Sequence, residues 1–262
     1  MAKKALPSRS SARILFLDIE TLPNIGYTWG LYDQNVIRFT QQSCIATYAA
    51  KWLGKKKVFA KALPDYKGYK SGSYDDRALV GDLWKLFDEA DVVVAHNGKS
   101  FDTKVCQSRF VLYDLKPPSP FKQVDTKLAV KRVARFNSAK LDDLGSLLGF
   151  GKKIKTDFGL WEGCINGDLK SWRKMVAYNK KDVRLLEKLY LRILPWIGNH
   201  PNLAMYDKRP ECPKCGSTEV SYRGTAITTT RSYQRFQCKK CGGWGRSVKS
   251  EGSVKVTNVA NE

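Results

Sequence analysis

Four carboxylates in this 262-residue chain stand where carboxylates can act together. Asp18 and Glu20 lie two residues apart at the end of the apolar run Ile14-Leu15-Phe16-Leu17. Residues two apart on a strand point to one face. Two carboxylates so placed repel, and one is driven to protonate unless a cation compensates. A divalent metal is the usual compensation, and Mg²⁺ and Mn²⁺ prefer oxygen ligands. Asp102 follows a second apolar run, Val92-Val93-Val94-Ala95, in the string Asn97-Gly98-Lys99-Ser100-Phe101-Asp102. Tyr178 and Asp182 lie one helical turn apart and share a helix face. Each has a plainer reading alone: solvated charges at a strand end, a helix cap at Asp102, an amphipathic border at Tyr178 and Asp182. Asp125 likewise suits a strand end.

A second constellation is made of thiols. Cys212-Pro213-Lys214-Cys215-Gly216 and Cys238-Lys239-Lys240-Cys241-Gly242 are two C-x-x-C knuckles. Four thiolates suit tetrahedral Zn²⁺, and a glycine after each pair lets backbone N–H groups turn toward the sulfurs. The alternatives are two disulfides or a redox dithiol. A module this small does not fold on a hydrophobic core alone, which favours structural zinc. Alternating segments at Glu219–Arg223 and Arg231–Gln237 predict a hairpin between the knuckles. Arg223, Arg231, Arg235, Lys239, Lys240 and Arg246 beside Tyr222, Tyr233, Phe236 and Trp244 suit phosphate contact and base stacking. Protein docking, or aromatics that merely fill a tiny core, are the competing readings. Cys44, Cys106 and Cys164 read as core thiols.

Elements must position these groups. Arg13–Ile19 reads as a buried strand, and 21–42 as a long connection carrying Tyr27, Trp29 and Tyr32. Cys44–Trp52 and Lys57–Leu63 read as strands, then Tyr74–Ala90 as a helix with Leu79, Leu83, Leu86 and Phe87 on one face. Strands are expected at Asp91–Ala95 and Lys122–Asp125. Helices are expected at Ser100–Tyr113, Thr126–Val133 and Leu141–Leu148. Asp168 suits the N-cap of a long helix ending near Leu194. Three early strands followed by alternating helices and strands give an α/β fold, a mixed sheet flanked by helices. A flexible basic arm at 1–11 and an α/β domain over 12–198 are expected. A linker at 199–210, a small β zinc ribbon at 211–248 and a disordered tail at 249–262 follow.

Lys and Arg number 46 against 25 Asp and Glu, a net charge of +21. Charge of that size favours nucleic acid as partner. No apolar stretch approaches the ~18 residues of a membrane span. Met1 to Ser11 has no apolar segment like that of a signal peptide. An intracellular, cytoplasmic protein is therefore expected, bound to no membrane.

Taken together, Asp18-Ile19-Glu20-Thr21, Asn97-x-x-x-Phe101-Asp102 and Tyr178-x-x-x-Asp182 resemble the three motifs of the DEDD 3′–5′ exonuclease superfamily in its tyrosine variant. Leu141-Asp142-Asp143-Leu144, Gly149-Phe150-Gly151-Lys152-Lys153 and Trp161-Glu162 resemble a ribonuclease H-like subgroup of that superfamily. The resemblance implies a ribonuclease H-like exonuclease domain over 12–198. It implies two Mg²⁺ or Mn²⁺ held by Asp18, Glu20, Asp102 and Asp182, with Tyr178 orienting the attacking water. Thr21, Leu22, Asn97 and Phe101 would contact the substrate. The implied activity is 3′–5′ exonucleolytic hydrolysis of single-stranded DNA or RNA, with the ribbon helping to hold nucleic acid and a replication or repair protein as a further partner. A structure-specific endonuclease on the same fold, or a non-catalytic nucleic-acid-binding adaptor, are the alternatives.

Overall fold

The computed structural model describes residues 12–151, 154–207 and 212–255. The expected arm at 1–11, the end of the linker, Lys152-Lys153 and residues 256–262 of the expected tail lie outside these. The chain divides into two compact units, one of Arg13–Tyr190 and one from Leu191 onward.

The first unit is built on five strands. Its apolar runs form β1 (Ile14–Leu22), then β4 (Cys44–Trp52), β5 (Phe59–Ala62), β6 (Val92–Ala95) and β7 (Lys122–Asp125). A small separate hairpin, β2 (Ile25–Tyr27) and β3 (Arg38–Gln41), precedes β4. The sheet order is β5-β4-β1-β6-β7. β1 runs antiparallel to β4 and parallel to β6, so the sheet is mixed and β1 is its middle strand. Leu15, Phe16 and Leu17 of β1 and all of β6 are buried, as continuous apolar runs covered on both faces require.

Helices cover this sheet. They are α1 (Arg77–Glu89), α2 (Asp102–Leu112), α3 (Thr126–Val133), α4 (Leu141–Leu147), α5 (Phe158–Ile165) and α6 (Leu169–Ile193). α1 buries Leu79, Val80, Leu83 and Phe87, the face that its periodicity specifies. Asp168 caps α6, accepting from Lys170 N at 3.0 Å and Ser171 N at 3.0 Å. Asp76, fully buried, accepts from Ile45 N at 2.8 Å, from Arg109 Nε at 3.1 Å and from the Tyr113 hydroxyl. One carboxylate thus ties α1, α2 and β4 together.

Two features of this unit depart from the sequence expectation. The connection at 21–42 holds the β2–β3 hairpin, whose tip leaves Trp29 90% and Leu31 93% exposed. Its strands have three and four residues with no buried face, so alternation carries no signal there. α5 was not expected, because Gly159 and Gly163 lower its helix propensity.

The second unit holds the end of α6, a short helix α7 (Ala204–Asp207) and three strands, β8 (Val220–Ile227), β9 (Arg231–Cys238) and β10 (Trp244–Ser253). They form one antiparallel sheet with β9 in the middle. Residues 249–253, expected in a disordered tail, are strand residues of β10 paired to β9 as far as Ser253–Arg231. Residues 204–207, expected in the linker, are α7. No helix among the described residues is long and apolar enough to cross a membrane.

Candidate metal and nucleic-acid site

The middle strand carries the site. Leu15, Leu17 and Ile19 alternate into the core, which leaves Asp18 and Glu20 on the other face. α6 supplies the third group. Its buried stripe runs Trp172, Met175, Asn179, Asp182, Val183, Leu186, Leu189 and Ile193, so Asp182 reaches the sheet in the middle of an apolar face. Ligand oxygens of Asp18, Glu20 and Asp182 all lie within 4.8 Å of one another. Three carboxylates at such separations repel, and an all-oxygen donor set of this kind suits a hard divalent cation.

Asp102 opens α2 and is buried. Its Oδ1 accepts from the backbone N–H of Ile19 at 3.1 Å, between the two carboxylates of β1. The close trio is therefore Asp18, Glu20 and Asp182, with Asp102 bonded to the strand that bears two of them. Tyr178 is half-buried on α6, one turn before Asp182.

Asn179 is a site residue that the sequence reading passed over. It is 0% exposed. Its Nδ2 donates to Asp18 Oδ2 at 2.5 Å and to Asp18 O at 3.1 Å. Thr47 Oγ1, on β4 opposite Glu20, donates to Asn179 Oδ1 at 2.8 Å. The signal was present: Asn179 falls four residues from both Met175 and Val183, at a core position of the helix.

The expected substrate contacts separate. Thr21 lines a cavity of about 460 Å³ with Pro23, Phe158 and Trp161, and its carbonyl accepts from Trp161 Nε1 at 3.1 Å. Leu22 is 1% exposed and packs in the core, so its side chain faces away from any substrate surface. The cause is a register shift between Glu20 and Thr21, across which the core positions pass from Ile19 to Leu22. Asn97 has φ +72° and its Oδ1 accepts from Lys127 Nζ at 3.3 Å. Phe101 is partly exposed just before α2.

Asp125 has a structural role. It is buried and caps α3 by accepting from Lys127 N at 3.0 Å and Leu128 N at 3.2 Å. It also accepts from Asn97 N and Lys99 N, both at 3.1 Å, clamping the loop that leads to α2.

In the second unit the ligand atoms of Cys212, Cys215, Cys238 and Cys241 lie within 4.8 Å of one another. The Cys212–Cys241 and Cys215–Cys238 sulfurs are 3.7 and 3.6 Å apart. The edge of a tetrahedron with 2.3 Å Zn–S bonds is about 3.8 Å, whereas a disulfide needs about 2.05 Å. The set thus fits a zinc ribbon. Gly216 (φ +69°) and Gly242 (φ +76°) take the left-handed turn each knuckle needs. Burial pushes the Cys238 thiol up, but the N–H groups of Cys241 and Lys240 and the neighbouring thiols outweigh it and bring it down to about 7. Cys44 and Cys164 behave oppositely: burial, with nearby carboxylates, pushes each up to about 12, as expected of inert core thiols. On the ribbon, Arg235 lies 4.8 Å over the Trp244 ring and Arg246 lies 3.6 Å over Tyr233.

The family model of the RNase_H superfamily matches residues 15–194, from β1 to the end of α6. The chain belongs to the RNase_H superfamily. Its match spans all four carboxylates and ends before the cysteine module. Among solved structures, this superfamily member is similar to the family B DNA polymerase of the hyperthermophilic archaeon Pyrobaculum calidifontis, with a TM-score of 0.52 and 18% identity. The alignment covers 74% of this chain and 26% of that polymerase chain. At that identity the likeness is one of fold, and the chain corresponds to about a quarter of the polymerase's length. No curated protein matches the chain.

Proposed function

We propose that this RNase_H superfamily chain is a metal-dependent 3′–5′ exonuclease of the DEDD type. The observation that carries the reading is the convergence of Asp18, Glu20 and Asp182 within 4.8 Å on the middle strand and longest helix of a nuclease-type fold. Asp18, Glu20 and Asp182 would hold two Mg²⁺ or Mn²⁺ together with Asp102. When bound, such ions supply Lewis acidity and positive charge to a phosphodiester and a nearby water. The protein contributes position. Asp102 holds the backbone between Asp18 and Glu20, Asn179 orients Asp18, and the Tyr178 hydroxyl would align the attacking water for in-line displacement.

The Cys212–Cys215–Cys238–Cys241 module would bind one structural Zn²⁺ and present Tyr222, Trp244 and their arginine neighbours to unpaired bases. The substrate is a single strand of DNA or RNA with a free 3′ end, and a replication or repair protein is the further partner of this reading. The location expected with this reading is the cytoplasm.

The test is cleavage of 5′-labelled single-stranded DNA and RNA with Mg²⁺ or Mn²⁺, beside the Asp18→Ala, Glu20→Ala double variant. A ladder shortening from the 3′ end, metal-dependent and absent in the variant, is expected. Internal fragments would indicate an endonuclease. Tight binding without cleavage would indicate an adaptor.

A further inference from the structure

Between Thr126 and Lys140 the chain carries five cations, Lys127, Lys131, Arg132, Arg135 and Lys140, and no carboxylate. They come from α3, from the loop behind it and from the residue that precedes α4. Two cavities are built on this stretch. One, of about 280 Å³, is bounded by Asp18 of the acidic trio together with His96, Lys127, Lys140 and Asp142. The other, of about 690 Å³, is lined by 130–137 and Ala139, including Lys131, Arg132 and Arg135. Ala139 lines one and its chain neighbour Lys140 the other.

The stretch is fixed at both ends. Asp125 caps α3 and sets Lys127 beside Asn97. His96 Nε2 donates to Ala139 O at 2.8 Å and its Nδ1 lies 2.9 Å from Thr126 Oγ1, which anchors the loop to the end of β6. Among the described residues none of the five cations stands in an ion pair. Their charge is left for a ligand. A cluster of carboxylates repels a polyanion, so a strand brought to Asp18 needs positive charge immediately beside it.

We propose that this segment is the phosphate track of a single polynucleotide strand. Lys127 and Lys140 seat the phosphate next to the acidic trio. Lys131, Arg132 and Arg135 take the following phosphates of the same strand, the guanidinium groups in bidentate fashion. The proposal rests on the nuclease reading for its substrate, and it names the path by which that substrate leaves the site. It reads backbone, so DNA and RNA are held alike.

The experiment measures equilibrium binding of 5′-fluorescent single-stranded DNA and RNA of equal length across a salt series, in the full chain carrying Asp18→Asn. Lys131→Gln/Arg132→Gln/Arg135→Gln is compared with Lys55→Gln/Lys56→Gln/Lys57→Gln, which removes the same charge from an exposed turn. Each single-strand phosphate contact contributes about 0.7 to the slope of log affinity against log salt. The track variant should lose about 2 in slope and at least tenfold in affinity for both nucleic acids. The turn variant should lose less than twofold. Lys127→Gln/Lys140→Gln should lose about 1.4 in slope. Equal losses in the track and turn variants would reduce the effect to net charge and overturn the proposal, as would no loss in either. Binding needs no cleavage, so a wild type that binds through the track without cutting leaves the track standing and removes the nuclease reading. A wild type that cuts while the track variant keeps its affinity and KM does the reverse.

Discussion

Asn179 holds Asp18 from a fully buried position, its Nδ2 2.5 Å from Asp18 Oδ2, while Thr47 fixes its other end at 2.8 Å. Because the Thr47 hydroxyl donates to Oδ1, the amide nitrogen must face Asp18, and the carboxylate is locked in one rotamer. Groups that orient a metal-binding carboxylate are worth about 10–100-fold in metal affinity or activity. Asn179→Ala should therefore raise the Mg²⁺ concentration for half-maximal activity by that factor, and excess Mg²⁺ should restore much of kcat. A variant that is less stable but has unchanged metal demand would reduce Asn179 to packing.

The acidic trio should cost stability when no metal is bound. Three carboxylates within 4.8 Å repel, and neutralising one relieves that repulsion. Asp182→Asn is expected to melt above the wild type in chelator and to lose the metal-induced rise in Tm. For the wild type, Mg²⁺ at a hundred times its Kd supplies about 2.7 kcal/mol, or roughly 5–10 °C for a domain of this size. Calorimetry with and without metal reads both effects. A wild-type Tm insensitive to Mg²⁺ and Mn²⁺ would remove the cation from the trio.

Asp125 accepts four backbone N–H groups, two in the Asn97–Lys99 loop and two in α3. Asp125→Ala leaves those donors without their carboxylate and should cost roughly 2–4 kcal/mol in denaturant unfolding. Oδ1 takes Asn97 N, Lys127 N and Leu128 N, and Oδ2 takes Lys99 N, so Asp125→Asn with its oxygen at the Oδ1 place sets an amide N–H₂ only against Lys99 N and its cost should fall between. Equal stability of all three forms would contradict the clamp.

Zinc should act on the second unit. Dialysis against a strong chelator, or Cys238→Ser, is expected to strip one zinc per chain. Amide protection in β8, β9 and β10 should then vanish while β1, β4 and β6 keep theirs. Hydrogen exchange read by mass spectrometry separates the two. Persistent protection of the ribbon strands without metal would show that the sheet stands on its own contacts.

Much of this was legible because the chemistry writes itself as spacing. Cys44–Trp52, Lys122–Asp125 and Thr126–Val133 were expected with the bounds observed, since short strand and helix patterns and the residues that end them are local signals. Asp18, Glu20 and Asp102 stand out by their placement after apolar runs, and Asp182 by its one-turn spacing from Tyr178. Asn179 was not, because a polar residue inside an apolar stripe reads as a gap until the partner across the sheet is known. The basic stretch at 127–140 was diluted in an overall excess of +21 and became a surface only when α3 and its loop folded beside Asp18. β10 escaped notice because its Gly, Ser and Lys residues alternate no apolar face and its Val248 is exposed.

The register shift after Glu20 makes β1 a strand with two reading frames. Up to Ile19 the odd positions belong to the core; past the shift, Leu22 does. A one-residue insertion upstream of Asp18 would exchange the frames, sending two carboxylates into the face that Leu15 and Leu17 pack and Leu17 onto the face that bears the acids, at a cost of several kcal/mol per buried charge. Exchange of residue type at 18 or 20 touches only the site. Substitution at 18 or 20 can therefore empty the site and keep the fold, whereas an insertion in the central strand disturbs both.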